Sequence, residues 1–112
     1  MRMCPDLFEE CRLVRARGEL DLTTVDSFAQ ALRASRATAG SPFLLVDLSL
    51  VSFMDGSVLA PLDESWADCE RRRGWVRVVY LHRTGLVFRA SGDEARFPRY
   101  ANCRNAWQGL AA

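Results

Sequence analysis

Ser57, Asp68 and His82 occur in the serine, acid, histidine order that some hydrolases use. The chemistry would be nucleophilic attack by the serine oxygen, with the imidazole taking its proton. The surroundings do not support it. No G-x-S-x-G elbow flanks Ser57, and 112 residues are far fewer than such folds need. His82 is the only histidine, and a lone histidine at a strand end reads as a solvated surface residue. Neither a phosphate-binding P-loop nor G-x-G-x-x-G is present, which leaves a nucleotide site unsupported. The cysteines, Cys4, Cys11, Cys69 and Cys103, form no C-x-x-C pair and match no zinc spacing. Cys11 and Cys69 fall on apolar faces and are expected to be buried, reduced thiols; a disulfide stays open. The expectation is a protein that is not an enzyme, with no catalytic residue, no metal and no cofactor.

What remains is a hydroxyl at a turn. Met54-Asp55-Gly56-Ser57 lies between an apolar strand and a helical pattern. A serine at such a junction is exposed, and the backbone N–H groups of the helix start are free. A phosphate there adds about −1.5 to −2 charge and three acceptor oxygens. The helix end tolerates that charge, so the domain need not unfold. A partner surface complementary to the neutral loop, or to Asp55, would be repelled. The plainer reading is that Ser57 only caps the helix. Asp55 and Asp21 are likewise read either as loop carboxylates or as partner contacts.

The elements that must position this turn follow from periodicity. Arg12 to Arg17 alternates, with Val14 and Ala16 on one side and Arg15 and Arg17 on the other, as a half-buried strand does. A weaker strand is expected around residues 7–10. Thr23 to Asp26 fits a capping box, with Thr24 as an alternative cap. Val25, Phe28, Ala29 and Leu32 then form one helical stripe, ended by Gly40 and Pro42. Phe43-Leu44-Leu45-Val46 reads as a central strand covered on both faces. Leu59, Leu62, Trp66 and Cys69 mark a second helix, stopped at Gly74 after three arginines whose charge suits a helix C-terminus. Val76 to Tyr80 is the next strand. A short helix over Thr84 to Ala90 ends near Gly92. Phe97 to Tyr100 is an edge strand because of Pro98. Asn102 caps a last helix carrying Ala106, Trp107 and Leu110. The tryptophans, Trp66, Trp75 and Trp107, are too far apart in sequence to read as a binding box.

Strand and helix alternate throughout, which implies an α/β domain with a largely parallel or mixed sheet. One domain over residues 1–112 is expected, since the length suits one and is too short for two. The 49% hydrophobic content is that of a globular chain able to fold without disulfides or metal. Fifteen basic against 14 acidic residues, a net charge of +1, argue against a nucleic-acid binder. The basic run Arg71-Arg72-Arg73 lies beside Asp68 and Glu70 and reads as a solvated helix end. Residues 1–10 have no apolar core suited to a signal peptide, and no stretch approaches the roughly 20 apolar residues of a span. A cytoplasmic protein without membrane insertion is expected.

Two segments together resemble the STAS family, the domain shared by sulphate transporters and anti-sigma-factor antagonists. Gly18-Glu19-Leu20-Asp21-Leu22-Thr23 is similar to the family's G-E-L-D turn. Leu45-Val46-Asp47-Leu48-Ser49-Leu50-Val51-Ser52-Phe53-Met54-Asp55-Gly56-Ser57 is similar to its apolar strand, D-L-S, then F-hydrophobic-D-S-S/T-G. The resemblance covers residues 7–110 and implies a single STAS-like domain with a mixed four- to five-stranded sheet and about four helices. It implies a bacterial, cytoplasmic regulator of transcription that works by protein–protein interaction. In soluble antagonists of the family, a kinase that is also an anti-sigma factor phosphorylates a serine or threonine in that loop. The unphosphorylated form binds the kinase and frees the sigma factor; the phosphorylated form lets go. The resemblance places Ser57 at the phosphoacceptor and gives Asp21, Thr23, Asp55, Gly56, Ser57 and Val58 as partner-binding residues. It leaves a homodimer open.

This chain departs from the family pattern at the loop. Gly56 replaces the usual serine, and Val58 replaces the usual glycine after the phosphoacceptor. A β-branched residue restricts the backbone where glycine frees it. Pro61 would sit too deep in a helix begun right after Asp55, and is expected as its first residue. Gly56 to Ala60 is therefore expected to be a loosened or bent turn. The departures favour an alternative: a constitutive, unphosphorylated STAS scaffold subunit of a stress-sensing complex or of a lipid or anion transport machine.

Overall fold

The computed structural model describes residues 11–37 and 40–112. Among these residues four strands, β1 (Arg12–Leu20), β2 (Phe43–Met54), β3 (Trp75–Val79) and β4 (Arg99–Tyr100), form one sheet in the order β1-β2-β3-β4. All three pairings are parallel. The strand expected around residues 7–10 lies outside the described residues. Helices α1 (Val25–Ala37), α2 (Leu59–Arg71), α3 (Leu86–Ser91) and α4 (Cys103–Gln108) alternate with the strands.

The strand order marches one way across the sheet. Right-handed crossovers then put every connecting helix on the same face. The core agrees: Phe28 and Leu32 of α1, Leu62 and Cys69 of α2 and Phe88 of α3 pack with Leu44, Val46, Leu48, Val76 and Val78 in one cluster. The other face is covered by α4, where Ala106 joins Leu45, Val79 and Tyr100. Alternation along β2 sorts Leu44 and Val46 from Leu45, which is why Phe43-Leu44-Leu45-Val46 is apolar without a break.

That alternation fails after Leu48. Arg15 pairs with Asp47 and Arg17 with Leu50; Gly18 pairs with Val51 and Glu19 with Phe53. Each step gives β2 one residue more than β1, so β2 carries two bulges. The inward positions therefore become Leu48, Val51 and Met54, all buried, while Leu50 and Phe53 are 53% and 51% exposed. The second bulge turns Met54 into the core and leaves Asp55 at the rim.

Most local expectations hold. Cys11 and Cys69 are buried. Asn102 caps α4 by accepting from the N–H of Asn105 at 2.8 Å. Gly92 ends α3 in the left-handed conformation. Arg71 and Arg72 both meet Asp68 at the solvated end of α2. Leu110 lies beyond α4 and is 57% exposed, so it is not part of that helix's core stripe. The end of α2 also differs in detail: Arg73, not Gly74, takes the left-handed conformation at φ 64°. The N–H of Gly74 donates to the carbonyl of Cys69 and that of Arg73 to Glu70, the two bonds of a Schellman ending.

Candidate functional site

The register of β1 on β2 builds the site. Leu20 and Met54 are paired at the ends of adjacent parallel strands. The next residues, Asp21 and Asp55, therefore emerge side by side. Parallel sheets gather their loops at the carboxyl ends of the strands in this way, and that rim is where such folds place ligands.

The two loops repeat one arrangement. Asp21 Oδ1 accepts from the Thr23 N–H at 2.9 Å and from the Thr23 hydroxyl at 2.6 Å. Asp55 Oδ1 accepts from the Ser57 N–H at 2.9 Å and from the Ser57 hydroxyl at 2.5 Å. In each, an aspartate caps the turn through the residue two further on. The Thr23 hydroxyl and N–H hold the Asp21 carboxyl below the usual carboxylate range. The expected threonine capping box is not what forms. The Thr24 hydroxyl accepts from the Asp21 N–H at 3.0 Å and donates to the Glu19 carbonyl at 2.8 Å. It closes the loop on itself and leaves the capping to Asp21.

After Asp55 the chain makes a 3-10 turn over Gly56–Val58 and passes into α2. The expected bend is present, but as a tight turn and not a loosened one. Pro61 is the third helical residue and not the first. Its missing N–H falls among the donors that have no intrahelical acceptor, so the helix loses nothing. Gly56 is exposed and Ser57 partly exposed. A Cβ added at Gly56 would meet nothing within 4 Å, so open space surrounds that residue.

Val58 corrects an expectation. Grouped with the partner-contacting residues from the sequence, it is fully buried at 0% exposure, in the core with Leu62 and Phe28. It cannot touch a visiting surface; it nails the turn to the core. Burying a valine contributes on the order of 1.5–3 kcal/mol, more than the capping bonds beside it.

No hydrolytic triad assembles. Ser57 bonds Asp55, Asp68 pairs with Arg36, Arg71 and Arg72 at the far end of α2, and His82 is exposed. No cluster of three metal-ligating side chains occurs among the described residues. No helix among them is long and apolar enough to cross a membrane.

Sequence spacing also missed a cluster on the α4 face. Trp75 and Trp107 meet with ring centroids 5.8 Å apart, and Phe43 lies 5.2 Å from Trp75. Arg77 stacks over Trp75 at 4.0 Å and donates to the carbonyls of Ala106 and Trp107. Those bonds satisfy the end of α4, so the group is a staple for that helix. Nearby, buried Asp47 accepts from Arg15 at 2.9 Å and from the Ser49 N–H at 3.0 Å. Burial pushes its carboxyl up, but the bonds from Ser49 and Arg15 outweigh this and leave it lowered.

Comparison with known proteins places this geometry. The structure superposes on an anti-sigma factor antagonist from Mycobacterium paratuberculosis with a TM-score of 0.80 at 25% identity, covering 91% of this chain and 86% of that one. The anti-sigma factor antagonist SpoIIAA, in its unphosphorylated form, shares the fold with a TM-score of 0.72 at 18% identity over 93% of each chain. A third structure, from Thermotoga maritima, has a TM-score of 0.78 at 14% identity, covering 97% of this chain and 91% of the other. No curated protein matches by sequence. The family model for the STAS domain matches residues 7–102, and the chain belongs to the STAS domain family.

Proposed function

We propose that this domain is an anti-sigma factor antagonist that docks a kinase acting as anti-sigma factor on its Asp21–Thr23 and Asp55–Ser57 loops. The observation that carries this reading is the placement of the Ser57 hydroxyl, partly exposed, at the entrance of α2 and held by Asp55 at 2.5 Å. The 25% identical anti-sigma factor antagonist from Mycobacterium paratuberculosis supports it as a relative in fold. The domain acts by being bound, in a cytoplasmic setting, and has no chemistry of its own.

Phosphorylation of Ser57 supplies the switch. The Ser57 oxygen bonds to the γ-phosphorus of ATP, the bond to the leaving ADP breaks, and the hydroxyl proton passes to a base of the kinase. The product cannot keep the loop as it is. Its oxygen no longer donates to Asp55, and about −1.5 to −2 charge stands beside that carboxylate. The N–H groups at the start of α2 offset part of the repulsion. The rest turns the Asp55 loop away from its resting shape, and a partner fitted to that shape is released.

A second reading rests on one observation. The fully buried Val58 fixes the turn where the family pattern has a glycine. A fixed turn suits a constitutive scaffold subunit that is recognised without being modified. The discriminating experiment incubates the protein with the kinase that co-purifies with it and ATP, then reads intact mass. Under the switch reading one phosphate is added to the wild type and none to Ser57→Ala, which still binds. A bound kinase that adds no phosphate selects the scaffold.

A further inference from the structure

We propose that the open edge of β2 from Leu50 to Met54 accepts an extended, acidic-apolar segment of the partner protein as an added strand. This deepens the partner-binding reading above and rests on it. β2 has 12 residues, but β3 pairs only with Phe43 to Asp47. Among the described residues, β2 beyond Asp47 is paired on its β1 side alone. Half the peptide groups of such an edge point away from the sheet's interior ladder. The Ser49 N–H is taken by Asp47, so the free edge begins at Leu50. Among the described residues, no backbone hydrogen bond outside the regular ladder reaches Leu50 to Met54.

Edges are ordinarily protected by charges or proline. Leu50-Val51-Ser52-Phe53-Met54 has neither. The edge opens instead onto a cavity of about 190 Å³ lined by Ser52, Phe53, Met54, Arg83, Thr84 and Leu86. Small-molecule sites run to roughly 300–1,000 Å³, so this one suits a single side chain. Phe53 and Leu86, 51% and 61% exposed, give it apolar walls. Arg83 on its rim is exposed and makes no ion pair among the described residues. A strand with an apolar residue for the cavity and a carboxylate beside it matches both features. Main-chain bonds would supply affinity and the pocket selectivity, as in other strand-addition complexes. The added strand would run directly toward Asp55 and Ser57, so charge placed on Ser57 would meet it.

The test selects phage-displayed random peptides of about ten residues, long enough to contain one strand, against the whole protein. Expected are acidic-apolar peptides that slow amide exchange at Leu50 to Phe53 and lose about thirtyfold in affinity, the mark of an interface hot spot, on Phe53→Lys. Arg83→Glu should weaken them several-fold and Leu110→Lys leave them unchanged. Circular dichroism checks that each variant is folded; should Phe53→Lys unfold, the amide protection in the wild type decides. Peptides that bind without protecting these amides, or no enrichment at all, overturn the proposal. Retained anti-sigma factor binding by folded Phe53→Lys overturns it too, while leaving the functional reading intact. Peptides that dock on the edge of a protein that binds no anti-sigma factor overturn the functional reading and not the edge.

Discussion

The backbone N–H of Asp55 donates to the carbonyl of Leu20 at 3.1 Å, fastening the two carboxylate loops together at their roots. Leu20 and Met54 are also paired, so both loops leave the sheet from the same level of adjacent strands. Each loop then closes through its own aspartate, so that removing one carboxylate should loosen one loop and leave the other capped.

That predicts a graded response at the second loop. Asp55→Ala removes the acceptor for both the N–H and the hydroxyl of Ser57 and should cost about 1 kcal/mol, the usual loss for a cap. Ser57→Ala keeps the N–H bond and should cost less. Urea unfolding of both variants checks the order. Ser57→Asp should be the least stable at neutral pH, since two carboxylates replace a hydrogen-bonded pair. Equal stability of Ser57→Asp and Ser57→Ala at pH 7 would remove the repulsion on which the switch depends.

Acid should reach the clasp between α1 and α2 only late, after ordinary carboxylates have protonated. Arg33 donates to both oxygens of Glu64 at 2.9 and 3.0 Å, and Arg36 reaches Glu64, Asp68 and Ser65. The Arg33 hydrogen bonds are the main reason the Glu64 carboxyl is lowered to about 2. A lowered folded value means that the contribution is complete above the unfolded value of about 4.3 and is lost as pH falls toward 2. Carboxyl-detected NMR should find Glu64 still ionised near pH 3, and Arg33→Ala should return it toward its ordinary value. The stability change stays small, because the pair is largely solvated and buried Leu32 and Leu62 hold the same helices.

The end of α2 separates two demands that one glycine often meets. Arg73 adopts φ 64°, which costs an L-residue about 1–2 kcal/mol, while Gly74 is needed for space. A Cβ at Gly74 would lie 2.0 Å from the Pro42 carbonyl oxygen. That carbonyl also accepts from the Trp75 N–H, so it is not free to move. Arg73→Gly should therefore be neutral or raise the melting temperature, and Gly74→Ala should lower it. The reverse order would mean that left-handed geometry, not crowding, keeps the glycine.

The sequence made the elements legible because strand and helix periods were clean where neighbours did not interfere. Phe43 to Val46, the Leu59-Leu62-Trp66-Cys69 stripe and the Asn102 cap all appear where expected. What misled was non-local. The bulges of β2 arise from its register against β1, and no pattern within β2 announces that Leu48, Val51 and Met54 share a face. Thr24 looked like a cap, yet its hydroxyl is claimed by Glu19, five residues back in the preceding strand. Trp75 and Trp107 meet only because α4 folds under the sheet. At the loop itself, residue types revealed the hydroxyl and the carboxylates; only the fold revealed that Val58 faces inward.

Val58 sets the trade that this loop has made between being fixed and being reachable. Val58→Gly restores the family's residue after the phosphoacceptor and removes a fully buried side chain. Loss of its burial, together with the freedom glycine gains in the unfolded chain, should cost about 2–3 kcal/mol. The same change frees the turn that follows Asp55, so exchange of the Ser57 amide should quicken by more than the global loss of stability accounts for. If a kinase must draw the loop into its cleft, phosphorylation of Ser57 should become faster in Val58→Gly even though the protein is weaker. Val58→Ala is the calibrating variant, since it opens a cavity without giving the backbone glycine's freedom. A rate that follows stability down in both variants would mean that the loop is read in its resting shape, and that Val58 is there to hold that shape for the partner.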